Sequence, residues 1–190
     1  MSLFTSSYLR GVYNKNIVSL NESFRTRNFS ASVNSTFDIF LSHSFLDRED
    51  VLGLYTELKN RGFSVYVDWI IDPQLDRNNV TKESSELLRS RMRASKTLLL
   101  AISHNASVSK WMPWELGYVD GKTGFCAIAP ISKDNQYRSS YRGVEYLSLY
   151  PYVDIENNTI GNQDIWINQA DGAYVNLSSW IVNKTKPYKR

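Results

Sequence analysis

The chain has 190 residues, 42% hydrophobic, 13% aromatic and 22% charged, a profile that excludes a mostly disordered protein and fits one folded domain with or without appendages. Twenty-two Lys and Arg against 19 Asp and Glu leave a charge of +3, a surplus too small to mark a nucleic-acid binder. The lone cysteine, Cys126, rules out an intrachain disulfide and a Cys-rich zinc site, His43 and His104 cannot form a His-rich metal site, and no apolar run nears the roughly 20 residues that span a bilayer.

Residues 1–35 differ from the rest, with eight Ser, five Asn, four Lys or Arg and a single acid, Glu22. Leu3, Phe4, Tyr8, Leu9, Val12 and Tyr13 recur at helical spacing, which predicts an N-terminal helix and tether resting on the domain or on a partner chain. A basic, Ser-rich, acid-poor amphipath also describes an organelle transit peptide, whereas the missing apolar block speaks against a secretory signal. A cytoplasmic location is therefore expected.

At Phe37 the pattern changes. Residues 37–41 form an apolar run that reads as a buried strand, and Ser44 with Asp47 has capping-box spacing for a helix carrying Val51, Leu54, Tyr55 and Leu58. Gly62 is placed to end that helix, and residues 63–67 alternate as a second strand. A loop over 68–79, a helix over 80–93 and an apolar strand over 98–102 follow. Then come a polar loop over 103–109, a helix over 111–121 with Pro113 in its first turn, and a fourth apolar run over 125–131. Alternation of strand and helix with near-continuous apolar strands predicts an α/β parallel sheet covered on both faces. Residues 146–149 or 153–155 can supply a fifth strand, Asp171-Gly172 between short apolar runs predicts a hairpin, and 177–182 a last short helix before a frayed basic tail.

In such a sheet ligands bind beyond the carboxyl ends of the strands, where strand order reverses. The loops so placed hold Ser42, His43, Ser44, Asp68, Trp69, Asp72, Trp111, Trp114 and Glu115 as residues with useful chemistry. No Gly-rich phosphate loop or dinucleotide fingerprint is present, so binding of a nucleotide in the dehydrogenase manner is not expected. Glu115 is the sharpest candidate: it follows Trp111 by one helical turn and sits among apolar neighbours, although a solvated acid near a helix start has the same spacing. By spacing alone the tryptophans read more readily as core anchors than as ligand platforms, His43 as a bonded loop residue rather than a catalyst, and Cys126 as inert core.

These residues carry a resemblance. The segment 37–44 with Asp47, the helix-to-strand turn over 58–68, the strand over 94–103 and Ser109-Lys110-Trp111-Met112-Pro113-Trp114-Glu115-Leu116 resemble, in order, four motifs of bacterial TIR (Toll/interleukin-1 receptor) domains. The resemblance covers residues 37–131. Pro113 inside the motif, and Trp69-Ile70-Ile71-Asp72-Pro73 in place of a more acidic, Gly-containing loop, depart from the family pattern. The resemblance implies a flavodoxin-like fold, five parallel strands with helices on both faces, over 36–190, with 1–35 as an extension and 132–190 as a C-terminal elaboration ending in a hairpin and helix.

Many bacterial members cleave NAD+ between nicotinamide and ribose, and the Trp-Glu-Leu-Gly-Tyr run is most similar to the TIR component of Thoeris-type anti-phage systems, which make a cyclic or modified ADP-ribose signal for a separate effector. For this chain the resemblance implies an NAD+ nucleosidase or ADP-ribosyl cyclase with NAD+ as substrate, no cofactor and no metal. Glu115 would be catalytic, and Ser42, His43, Ser44, Asp68, Trp69 and Trp111 would bind substrate. Self-association through TIR–TIR contacts is implied as well, and neither nucleic acid nor membrane is expected as a partner. Two other readings stand beside it: a non-enzymatic TIR adaptor acting by assembly, for which an acid at position 115 has no purpose, and a small α/β nucleoside enzyme such as a deoxyribosyltransferase.

Overall fold

A computed structural model describes residues 3–26, 35–75, 81–103, 105–106, 109–133 and 145–189, with backbone only over 19–26. His104, part of the expected tether and part of the loop after the second predicted strand lie outside them. The elements in chain order are β1 (Phe4–Thr5), α1 (Ser6–Thr26), β2 (Phe37–Ser42), α2 (Arg48–Asn60), β3 (Val65–Tyr66), α3 (Asp68–Ile71), α4 (Lys82–Arg93) and β4 (Ser95–Ile102). They continue with α5 (Trp111–Thr123), β5 (Cys126–Ser132), β6 (Tyr152–Asn157), β7 (Gln163–Asn168), β8 (Tyr174–Asn176) and α6 (Leu177–Val182).

The sheet runs β3-β2-β4-β5-β6-β7-β8. The five strands from β3 to β6 are parallel, as expected, and β7 and β8 add an antiparallel hairpin at one edge. The chain moves one way from β2 to β3, then back past β2 to β4 and on to β5. Right-handed crossovers therefore put α2 on one face and α4 with α5 on the other, which agrees with α2 packing against α1 and α4 packing against α5. Both faces being covered, Ile39, Phe40, Leu98, Leu99, Ala127 and Ile128 are all fully buried. Strand order reverses at β2, so the crevice for a ligand opens between the carboxyl ends of β2 and β4.

Several expectations shift. Leu3 and Phe4 are not on the first helix: they lead into β1, which pairs in parallel with the end of β5 (Phe4 with Ile131), and both are core residues. A two-residue strand has no periodicity to betray it. Residues 68–71 form a single helical turn where a loop was expected, and the fifth strand is β6, while Glu145–Leu149 is a 3-10 turn. The Ser44–Asp47 capping box does not form: a 3-10 turn over Phe45–Asp47 intervenes, and neither Ser44 nor Asp47 makes a side-chain capping bond. Gly62 ends α2 as expected, at φ 87°, where a side chain would be strained. The basic tail is not frayed to its end, because Tyr188 exchanges two backbone hydrogen bonds with Tyr174 at 3.1 and 3.2 Å and so covers the edge of β8.

Candidate active site

The site begins with an acid in the wrong solvent. Glu115, in the second turn of α5, has 0% of its surface exposed. Ionised carboxylates are rarely left so dry without a partner. α5 lies against the sheet and touches β2, and there Ser42 Oγ, at the carboxyl end of β2, donates to Glu115 Oε2 at 2.6 Å. A hydrogen bond of that length to a carboxylate is of the strong, charge-assisted kind. It joins the two sides of the crevice at the point where strand order reverses.

A second cluster adjoins it. With His43 Nε2 accepting from Trp69 Nε1 at 2.9 Å, the ring proton sits on Nδ1, which donates to the Leu41 carbonyl at 2.9 Å. Both ring nitrogens are thus engaged, and His43 fastens α3 to the loop after β2. Asp68 Oδ1 stands 3.4 Å from the same Nε2, with both side chains buried. The Arg48 guanidinium lies 4.5 Å from the centroid of the Trp69 ring. Beneath α3, Asp72 is held by a two-pronged bond from Arg91, Nε and Nη2 each at 2.9 Å, and by the Tyr66 hydroxyl at 2.9 Å. The hydrogen bonds that Arg91 donates to Asp72, and the charge of that carboxylate, raise the Arg91 pKa further. The single turn carrying Asp68 and Trp69 is thereby braced on a buried ion pair.

Of the seven residues that the resemblance marks as catalytic or substrate-binding, six fall into these two clusters or lead on from them: Ser42 with Glu115, His43 with Trp69 and Asp68, and buried Ser44 leading into the 3-10 turn, where its carbonyl accepts from the Asp47 N–H at 3.1 Å. Trp111 is half-buried and meets Trp114 edge-on, centroids 5.5 Å apart, at the start of an aromatic row continuing to Tyr118. Cys126 is core: burial pushes its thiol pKa up to about 12, so it is no nucleophile. Arg91 and the Asn105 contact to Asp47 were not foreseen from the sequence. Each is a polar residue whose partner lies in another segment, and no local pattern signals it. Among the described residues no cluster of His, Cys, Asp and Glu is spaced to hold a metal ion, and no helix is long and apolar enough to cross a membrane.

A parallel sheet ordered in this way, with a buried glutamate across its crevice, defines a doubly wound α/β domain of the flavodoxin-like class. A TIR-domain family model matches residues 39–165, and the chain belongs to that family. It is 50% identical over 151 residues to a Bacillus cereus (strain MSX-D12) protein that bears the name probable 3′ cyclic ADP-D-ribose synthase ThsB′, covering 78% of this chain and 77% of that protein. It is also 31% identical over 93 residues to TIR2 of Cytobacillus dafuensis, provisionally named a cyclic ADP-D-ribose synthase, across 47% of this chain and 24% of that longer protein. Among solved structures, the TIR domain of the Toll-related receptor TRR-2 from Hydra magnipapillata is similar at a TM-score of 0.41 and 21% identity, over 58% of this chain and 77% of that one.

Proposed function

We propose that this chain cleaves NAD+ at the bond between nicotinamide and ribose and closes the remainder into a cyclic ADP-ribose-type signal. The observation that carries the reading is the buried Glu115 carboxylate bonded to Ser42 across the crevice. The names of the two relatives support the same reaction.

The chemistry asks little of the protein. The nicotinamide ring of NAD+ is cationic and takes the electron pair of the breaking bond, leaving neutral, so no general acid is needed. Positive charge then grows on the ribose, as in oxocarbenium-like glycoside cleavage. A fixed carboxylate in a dry site stabilises that charge without reorganising, and this is the role of Glu115. Ser42 holds the carboxylate in place. Ser44, the bonded His43 and its neighbours Asp68 and Trp69 bind the substrate beside it, and Trp111 offers a ring to the substrate. With water kept out, a hydroxyl or ring nitrogen of the same molecule attacks the ribose and loses its proton if it carries one. The products are nicotinamide and a ring-closed ADP-ribose. The signal acts on a separate effector in a cytoplasmic defence of the Thoeris type, and the site is completed by a second copy of the chain.

Purified protein incubated with NAD+ is expected to release nicotinamide and yield a cyclic product on chromatography. The isosteric Glu115→Gln variant should lose about a hundredfold or more of that rate. Equal rates in the two proteins would remove Glu115 from this role, and no release by the wild type at any concentration would overturn the reaction.

A further inference from the structure

Asp47 has 5% of its surface exposed and lies at the junction of the 3-10 turn and α2. An acid there ordinarily accepts the free N–H groups of its own helix, yet Asp47 makes no capping bond. Its carboxylate reaches across the crevice instead. Ser103 Oγ donates to Oδ2, and Asn105 Nδ2 donates to Oδ1 at 2.7 Å. The Asn105 N–H in turn donates to Ser103 Oγ at 2.9 Å. The positive end of the α2 dipole supports the buried charge, so its hydrogen bonds are available to the neighbouring loop.

That loop leads into α5, whose N-cap residue contributes no capping bond. Lys110, at the N-cap position, is already in the right-handed helical conformation, its side chain makes no capping bond, and the first turn holds no acid. The Met112 N–H meets Ser109 Oγ only at 3.4 Å. Among the described residues two ties bear on this region: Glu115 to Ser42, and Asp47 to the loop at Ser103 and Asn105. Both run from the segment after β2 to the segment after β4.

We infer that Asp47 is a positioning residue for Glu115, acting through Ser103 and Asn105 to hold the start of α5 against the crevice. The inference rests on the reading of Glu115 as the catalytic carboxylate. Loss of the tie lets α5 shift at its start, so the carboxylate is displaced from the ribose and water gains entry.

The experiment is a swap of the pair. Asp47→Asn and Asn105→Asp are each expected to lower kcat for nicotinamide release by about tenfold to a hundredfold, with KM changed by less than about threefold and a larger share of linear ADP-ribose. The double variant restores one donor and one acceptor in reversed order and should regain most of the lost kcat. Wild-type kcat in either single variant, or a double variant no better than the product of the singles, overturns the inference. Amide hydrogen exchange over residues 111–115 is measured on the same four proteins: faster in the singles, recovered in the double. This readout needs no NAD+, so a wild type that releases no nicotinamide sinks the reaction while exchange still decides the role of Asp47. Should Asp47→Asn fail to fold, Ser103→Ala carries the test, and unchanged kcat and exchange in it count against the inference.

Discussion

Two carboxylates, Glu115 and Asp154, are equally dry and differ in what surrounds them. Glu115 has the Ser42 hydroxyl at 2.6 Å. Hydrogen bonds to charged groups contribute on the order of 1.5–3 kcal/mol, so Ser42→Ala is expected to lower kcat roughly tenfold or more with little change in KM, measured by nicotinamide release. Asp154, on β6, is fully buried, and neither carboxyl oxygen finds a hydrogen-bond partner among the described residues. Burial pushes its pKa up from 3.8 to about 6, offset in part by Asn168 diagonally opposite on β7. A folded pKa above the unfolded one means this group's contribution is fully present below about pH 4 and is lost as pH rises through about 6. At pH 7.5 the ionised form therefore costs on the order of 3 kcal/mol. Asp154→Asn should raise the thermal midpoint at pH 7.5 and flatten the stability profile between pH 4 and 6. A midpoint unchanged at pH 7.5 would show that the folded protein accommodates the charge.

Among the elements, α1 is the one whose seat the sequence leaves open between the domain and a partner chain, and the structure packs it on α2. Its Leu9 is fully buried, and its backbone lies so close to α2 that a Cβ on Gly53 would sit 2.1 Å from the Leu9 carbonyl oxygen. No side-chain movement relieves a backbone contact of that kind. Gly53→Ala should force the two helices apart and cost about 1–3 kcal/mol, read as a lowered midpoint in thermal or urea unfolding. The same contact explains the buried acids of α2. Asp50 accepts from Ser6 Oγ and Arg10 Nε, each at 2.9 Å, and Glu57 accepts from the Tyr8 hydroxyl at 2.8 Å. Neither acid belongs to the apolar set Val51, Leu54, Tyr55 and Leu58 that marks the helix in the sequence. A partner 40 or more residues away turns their side of the helix into an interface.

The whole molecule gathers its chemistry at one end, because all five parallel strands point their carboxyl ends the same way and strand order reverses at β2. That end also exposes Phe45 and Leu46, at 63% and 67%, beside buried Ser44. If a second copy completes the site, specific activity should rise steeply with protein concentration and track the fraction of dimer or larger species by light scattering. A monomer fully active at high dilution would rule that arrangement out.

The five parallel strands, the major helices, the parallel class and the crevice loops were legible in the chain, because apolar periodicity and glycine stops act over a few residues and need no distant partner. Glu115, Ser42, His43, Asp68 and Trp69 could be named for the same reason: topology alone says which loops face the crevice. Which of them bond to each other could not be read. The pairing of Ser42 with Glu115 spans 73 positions and that of Asp72 with Arg91 spans 19, and side-chain hydrogen bonds leave no periodic trace. The place of α1, the strand pairing of Phe4 and the reach of Asp47 to Asn105 were likewise decided only when the sheet closed. A buried polar group takes whatever partner the tertiary fold delivers, and that delivery depends on the packing of the whole chain.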